Sequence, residues 1–167
     1  MIVIGSFFSA QDDTVELKNV KVFRKAIYSI PEKLIIPEMV STAEHTISHL
    51  TLEGLFTVDN LDIVPQLVKR TSLDETQTVY EFEIKENIFF SDGTKLTLND
   101  VKASLERTFK KDSPIRDTFK RIKSVNIRNN KVIVEIKSPY PPFLSLLASS
   151  FAKVYKEKEG IPYPIGT

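Results

Sequence analysis

The stretch FFSDGTKLTLNDVKASLERTF, residues 89–109, gathers Asp, Thr, Asn and Glu around a single glycine. Such a cluster is either a reaction centre or a turn that carries a strand into a helix. Asp92-Gly93 supplies a turn with a residue that is free to adopt a positive φ. Thr97 lies three residues before Asp100, the spacing at which a hydroxyl and a carboxylate cap a new helix reciprocally. Local backbone chemistry accounts for these polar residues, so the stretch predicts a strand–turn–helix unit.

The sequence around this unit shows the periods of further regular elements. Val101, Leu105 and Phe109 recur every four residues, so we expect them to face the core. Residues 79–84, VYEFEI, alternate apolar and acidic side chains, as a half-buried strand does. Residues 124–137, SVNIRNNKVIVEIK, predict a β-hairpin that turns at its paired asparagines.

Shorter elements are predicted from apolar runs and from the residues that break them. The first is a strand at residues 20–30 that stops at Pro31. A capped helix at residues 42–52 is expected to end at Gly54. The others are extended segments at 55–58 and 64–70 around an Asp59-Asn60 turn, and a short apolar helix at 143–151.

Composition limits the possible partners of the chain. Its 167 residues are 41% hydrophobic and 27% charged, which is typical of one globular domain with a sizeable core. The formal net charge is +1, so no strong positive field indicates nucleic acid as a partner. Cysteine is absent, which excludes disulfides and thiolate chemistry.

The first ten residues, MIVIGSFFSA, allow two interpretations. They are apolar and end in a small residue, like the tail of an export signal, but they lack a basic leading region. They also suit a first buried strand, and the run is too short to span a bilayer. Both interpretations stay open.

Catalytic and metal-binding patterns are weak. His45, His49 and Glu53 have the i, i+4, i+8 spacing of a zinc-binding helix face, but the Glu that follows the first His of a metalloprotease helix is missing. A solvent-facing pair of histidines is the preferred interpretation. No Gly-x-Ser-x-Gly turn or glycine-rich phosphate loop occurs. We therefore expect a protein that is not an enzyme and that uses no cofactor and no bound metal.

A longer succession of motifs carries a family resemblance. It consists of LEGLFTVDNLDIVPQLVKR at 52–70, VYEFEIKENIFFSDGTKLTLNDVKASLER at 79–107, SVNIRNNKVIVEIKSPYPPFLSLLA at 124–148, and YPIGT at the end. In this order the segments resemble the N-terminal third of the family 5 extracellular solute-binding proteins, the dipeptide and oligopeptide receptors of ABC importers. The resemblance implies an α+β (α/β) fold of the periplasmic-binding-protein type II kind, with part of lobe I and its small inserted subdomain.

The resemblance also implies how the chain is divided. Residues 1–45 would be the N-terminal part of lobe I, residues 46–151 the small α/β subdomain, and residues 152–167 a truncated return into lobe I. Family members are about three times as long, so the second lobe would be missing. We expect the isolated chain to bind solute weakly or not at all.

The function implied by the resemblance is uptake of peptides or similar small solutes. Two lobes close on the solute as a hinge and dock on the permease subunits of the importer. The protein would be exported to the periplasm or the extracellular space, would be peripheral to the membrane and would act as a monomer. By the same resemblance the chain's own contacts to solute are expected from Met39, Val40, Ser41 and Thr42 before the first helix, and from Phe119.

Two other classes of function remain open from the sequence. Some relatives of the family are solute-sensing modules fused to a DNA-binding head in transcriptional regulators. The subdomain could also act as a free-standing interaction domain.

Overall fold

A computed structural model describes residues 41–109, 116–158, 161–163 and 165–166 of the chain. The predicted strand at 20–30 and both interpretations of residues 1–10 lie outside them. The helices are α1 (Thr42–Thr51), α2 (Leu98–Thr108), α3 (Arg116–Phe119) and α4 (Phe143–Leu147). The strands are β1 (Glu53–Gly54), β2 (Phe56–Asp59), β3 (Asp62–Pro65), β4 (Val68–Leu73), β5 (Val79–Ile84), β6 (Phe89–Phe90), β7 (Ile122–Arg128), β8 (Lys131–Ile136), β9 (Lys153–Val154), β10 (Lys156–Lys158), β11 (Ile161–Tyr163) and β12 (Ile165–Gly166).

A four-stranded antiparallel sheet, in the order β4-β5-β8-β7, forms the centre of the described structure. The alternation predicted for residues 79–84 is confirmed, because Tyr80 and Phe82 are buried in β5 whereas Glu81 and Glu83 form ion pairs with lysines of neighbouring strands. Helix α2 packs against β7 and β8.

The predicted hairpin joins β7 to β8. Asn129 and Asn130 both have positive φ, 50° and 57°, as a two-residue turn with the right twist requires. Val132, Val134 and Ile136 point into the core as predicted. The register pairs Arg128 with Lys131 across the turn. The paired asparagines therefore position the two longest adjacent strands.

The strand–turn–helix unit at 89–109 is confirmed. Gly93 has φ +80° and no atom lies within 4 Å of the Cβ that it lacks, so the turn needs glycine for its conformation and not for space. Thr97 and Asp100 form the capping box of α2. Val101 and Leu105 are buried, and Phe109 is partly buried.

Helix α1 ends earlier than predicted. Its last residue is Thr51, and Leu52 is already extended with φ −120° and ψ 138°. Gly54 does not end the helix, because it lies in β1 opposite Lys153. A Cβ at Gly54 would lie 3.1 Å from both the Ala152 and the Phe56 carbonyl oxygens. Glycine is therefore needed at position 54 because two backbone carbonyls approach it closely. The prediction that Gly54 ends helix α1 is wrong.

The extended segments after α1 also differ in detail from the prediction. The turn between β2 and β3 is at Asn60 and Leu61, which have φ 47° and 73°, and not at Asp59-Asn60. The predicted segment 64–70 is divided between β3 and β4. Between β3 and β4 the backbone N–H of Gln66 donates to the Leu55 carbonyl, 3.0 Å away. This hydrogen bond holds the connecting residues close to β1 and β2.

The core combines side chains from the sheet, α2, α4 and the short strands. Its largest fully buried members are Phe82, Phe90 and Phe143. Phe82 also meets Phe56 edge-on at 5.7 Å between ring centroids. The predicted apolar helix at 143–151 is shorter than expected, since only residues 143–147 are helical, but its Phe143 and Leu147 are fully buried.

Candidate functional site

The polar residues of the strand–turn–helix unit are satisfied by their own backbone. An Asp92 carboxylate oxygen accepts from the Thr94 amide at 2.9 Å and from the Thr94 hydroxyl at 2.6 Å. The hydrogen bond from the Thr94 hydroxyl is the main reason that the pKa of Asp92 lies below its ordinary value. Lys156 donates to the Thr94 hydroxyl at 2.7 Å and lies over the Phe90 ring. The stretch is therefore a structural corner.

The residues predicted to contact solute have separate structural roles where the structure describes them. Met39 and Val40 lie outside the described residues. The Ser41 hydroxyl accepts from the Glu44 amide at 3.2 Å, and the Ser41 amide donates to the Glu44 carboxylate at 2.8 Å, which forms the capping box of α1. Thr42 begins the helix and is exposed. A role of Ser41 or Thr42 in solute binding stays a prediction.

Phe119, the last predicted contact residue, belongs to the core. Its side chain is 2% exposed and lies against Phe109, with ring centroids 5.2 Å apart. In this arrangement its aromatic ring is covered by protein and has no open face for a solute.

A group of polar and charged side chains lies instead between α1 and the segment that leads into β9. We call it the α1–β9 cluster; it comprises His45, Ser48, His49, Glu53, Ser150 and Lys153. Helix α1 brings His45, Ser48 and His49 to one side by the i, i+3, i+4 spacing of its turns.

Hydrogen bonds join the two sides of the α1–β9 cluster. The His45 Nδ1 atom and the Ser150 hydroxyl share a hydrogen bond of 2.7 Å, and the His45 ring lies edge-on to Phe151 at 4.9 Å. The fully buried Ser48 hydroxyl donates to the Ser150 carbonyl at 3.0 Å. The solvent-facing pair predicted from the sequence is therefore wrong for His45, which is half-buried, whereas His49 is exposed.

Lys153 is the most unusual member of the α1–β9 cluster. Its side chain is 2% exposed, and burial lowers the pKa of its ammonium, an effect that the Glu53 carboxylate partly offsets. Burial also raises the pKa of Glu53, against the opposing effects of Lys85 and Lys153. His49 is exposed as a residue, but its ring is partly shielded from water, and this desolvation is the first cause of its lowered pKa; the positive charges of Lys153 and His45 add to it.

The sequence around Lys153 indicates that this lysine is unusual. Lysine is almost never fully buried unless it is paired. Lys153 stands inside FAKVY, residues 151–155, a run whose other members are all apolar or aromatic. A lone cation in the middle of such a run is a candidate for a buried functional charge.

Helix α2 is joined to the residue after β9 by a second polar contact. The Arg107 guanidinium donates to the Tyr155 carbonyl at 2.5 Å and to the Ser104 hydroxyl at 3.0 Å, and it stacks over the Tyr155 ring at 4.4 Å. The Ser104 hydroxyl also accepts from the Tyr155 amide at 3.2 Å. These contacts hold Tyr155, two residues after Lys153, against helix α2.

Two further properties concern metal binding and membranes. Within the described ranges, no three His, Cys, Asp or Glu side chains converge in a way that could hold a metal ion. No helix among the described residues is long and apolar enough to cross a membrane.

Comparison with known proteins assigns the chain to a family. The model of the bacterial extracellular solute-binding proteins, family 5, middle part, matches residues 62–167, which is more than half of the chain. The chain belongs to this family. Solved structures that match it confirm the periplasmic-binding-protein type II fold, which combines helices with sheets.

Three relatives show the range of the family 5 proteins. The nickel-binding protein NikA of Staphylococcus aureus is 30% identical over 103 residues, which are 62% of this chain and 21% of NikA. Its structure in complex with Ni(L-His)2 matches with a TM-score of 0.61 and covers 68% of this chain and 25% of that one. NikZ of Campylobacter jejuni, in complex with Ni(L-His), is 27% identical with a TM-score of 0.63, over 75% of this chain and 25% of that one.

The third relative is named for peptides. The probable peptide ABC transporter periplasmic-binding protein y4tO of Sinorhizobium fredii is 25% identical over 100 residues, 59% of this chain and 19% of that protein. This chain thus spans about a fifth of the length of the curated relatives that it matches.

Proposed function

We propose that this chain is part of the solute-binding component of an ABC importer and works without chemical conversion of its solute. The observation that carries the proposal is the match of the family 5 model to residues 62–167. The local structure supports it, because the polar stretch at 89–109 serves a turn and a helix cap and forms no reaction centre.

The proposed mechanism is capture by closure of two lobes. The solute binds in a cleft, the lobes close about a hinge, and the closed form docks on permease subunits. The protein acts outside the cytoplasmic membrane as a monomer. Residues 1–45 and 152–167 contribute to lobe I, and residues 46–151 form the small subdomain packed on it.

The proposed solute is a peptide or another small molecule. An extended peptide would bind chiefly through its backbone groups, with side-chain pockets of broad tolerance. A nickel complex is a second candidate, since the relative with 30% identity is a nickel-binding protein whose structure contains Ni(L-His)2. On this view the metal is the cargo and arrives with an organic chelator.

Calorimetric titration of the protein expressed from its native gene tests the proposal. The probes are a mixture of short peptides, Ni(II) alone, and Ni(II) with L-histidine. We expect saturable binding of at least one probe with a stoichiometry of one. Absence of binding to all three would contradict the proposed function.

A second experiment tests whether the two lobes close when the solute binds. Small-angle X-ray scattering with and without the bound probe should show a smaller radius of gyration in the bound form. An unchanged radius at saturating solute would contradict closure while leaving binding intact.

A further inference from the structure

The β2–β3 hairpin projects from the core and carries apolar side chains to its end. Exposure rises along it, since Phe56 is 4% exposed, Val58 54% and Leu61 94%. Ile63, which lies opposite Val58, is only partly buried. A single exposed leucine is ordinary, but here the apolar side of β2 continues from the core into solvent up to the turn. The end of the hairpin is therefore an apolar surface that the described part of the chain leaves uncovered.

Leu61 is an unfavourable residue for the turn that it occupies. Asn60 and Leu61 have φ 47° and 73°, a conformation for which Asn-Gly is the preferred pair. A leucine is sterically unfavourable there, because its Cβ crowds the backbone when φ is positive. Glycine at this position would remove the strain and an exposed apolar side chain together. The turn thus holds a side chain that opposes both its conformation and its solvation, which indicates a use outside the fold.

Two carboxylates flank the turn without a counter-charge. Asp59 and Asp62 lie directly opposite each other in the register of β2 and β3, where like charges destabilise a hairpin. Both residues are exposed, and neither forms an ion pair with any side chain that the structure describes. Residues 55–68 contain no lysine or arginine, although the whole chain has 23 of them. The tip therefore places uncompensated negative charge beside an exposed apolar side chain.

This combination of apolar and acidic groups favours a protein as the partner. An anionic membrane surface would repel both carboxylates. A two-fold dimer through the tip would bring the carboxylates of two copies together. A pocket that is apolar at its centre and edged by lysine or arginine side chains would cover Leu61 and supply the missing counter-charges.

We propose that the tip of the β2–β3 hairpin docks into such a pocket on the permease subunits of the importer. The inference rests on the proposed function, since it assigns a surface of the protein to the docking step. Leu61 enters the apolar centre of the pocket, and Asp59 and Asp62 pair with its basic edge. Docking and solute binding then depend on different residues, so mutations can separate them.

The test compares Leu61→Gly with the wild type in two measurements. The protein is expressed from its native gene, and biolayer interferometry measures its affinity for the permease and ATPase subunits of the importer, reconstituted in lipid nanodiscs. Calorimetric titration with short peptides and with Ni(II)–L-histidine measures solute binding by the same preparations. Leu73→Thr is the matched control, since Leu73 is 44% exposed at the end of another strand.

We expect Leu61→Gly to bind the permease about tenfold or more weakly than the wild type and to bind solute equally well. Thermal unfolding should show that this variant is at least as stable as the wild type, because Asn-Gly suits the turn. The double variant Asp59→Asn/Asp62→Asn should associate with the permease more slowly and with a smaller dependence on salt. Leu73→Thr should match the wild type in both measurements.

Some outcomes would overturn the inference alone. The first is an unchanged permease affinity of Leu61→Gly when the wild type binds both solute and permease. The second is a loss of stability in Leu61→Gly, which would assign the leucine to the fold. Equal binding of the wild type to nanodiscs without permease would assign the tip to the membrane. A dimer in sedimentation velocity that Leu61→Gly abolishes would assign the tip to a second copy.

Other outcomes would also reach the proposed function. A wild type that binds solute but not the permease contradicts both the docking step and the inference. A wild type that binds neither solute nor permease contradicts the proposed function as a whole.

Discussion

Lys153 and Gly54 face each other across the two short strands β1 and β9, and the lysine stem occupies the space beside the glycine. The carbonyl oxygens of Ala152 and Phe56 lie 3.1 Å from the position of a Cβ at residue 54. One glycine therefore allows three chain segments to approach closely at the α1–β9 cluster.

Gly54→Ala should destabilise the protein, because two backbone carbonyls cannot easily move away from the added methyl group. We expect the free energy of unfolding to fall by about 1–3 kcal/mol in urea denaturation. Gly93→Asn is the control, since its site is open and asparagine tolerates positive φ. A Gly54→Ala variant as stable as the control would contradict the close approach.

Thr97→Ala should weaken the start of α2. The Thr97 hydroxyl accepts from the Asp100 amide at 3.2 Å, and the Asp100 carboxylate accepts from the Thr97 amide at 2.9 Å. Loss of the cap should lower the free energy of unfolding by about 1 kcal/mol, measured by urea denaturation. Thr97→Ser keeps the hydroxyl and should retain most of the stability. Equal losses in both variants would show that the cap is not the cause.

Asn130→Val should destabilise the β7–β8 hairpin, because a β-branched residue is strained at φ 57°. We expect a loss of about 1–2 kcal/mol in the free energy of unfolding. Asn130→Gly should be tolerated, since Asn-Gly is the preferred pair for this turn. Thermal unfolding of both variants measures the difference, and a tolerated valine would contradict the turn geometry.

The stability of the protein should depend on the charge of His49. Its pKa is lowered from an ordinary value of 6.5 by partial desolvation of its ring and by the nearby positive charges of Lys153 and His45. A depressed pKa means that the unfolded chain binds the proton more readily, so stability is present above pH 6.5 and falls as the pH decreases below it. The Tm of wild type should therefore fall more between pH 7.5 and pH 5.5 than the Tm of His49→Gln. Equal falls in both proteins would contradict the shift.

Local chemistry explains why parts of the fold could be predicted from sequence. The turn at Asp92-Gly93, the cap at Thr97 and the paired asparagines each act within a few residues, so the residues that decide them are adjacent in the chain. The apolar and acidic residues of β5 likewise alternate because one face of the strand is buried, and this pattern can be read from six adjacent residues.

The parts that sequence reasoning missed depend on distant partners. His45 is half-buried because it forms a hydrogen bond with Ser150, which is 105 residues away in the chain. Gly54 is required because Ala152 and Lys153 pack directly against it. The sequence also did not reveal that Phe119 packs against Phe109; its role as a solute contact stays a prediction. No periodicity in the chain encodes these pairings, so the α1–β9 cluster became visible only in the fold.

We propose that the protein holds a small solute without changing it. Native mass spectrometry of the protein expressed from its native gene tests this most directly, after incubation with short peptides or with Ni(II) and L-histidine. We predict a protein peak whose mass is higher by that of one small solute. Gentle collisional activation should release this solute with its mass unchanged. A spectrum with only unliganded protein, or release of a chemically altered solute, would contradict the claim.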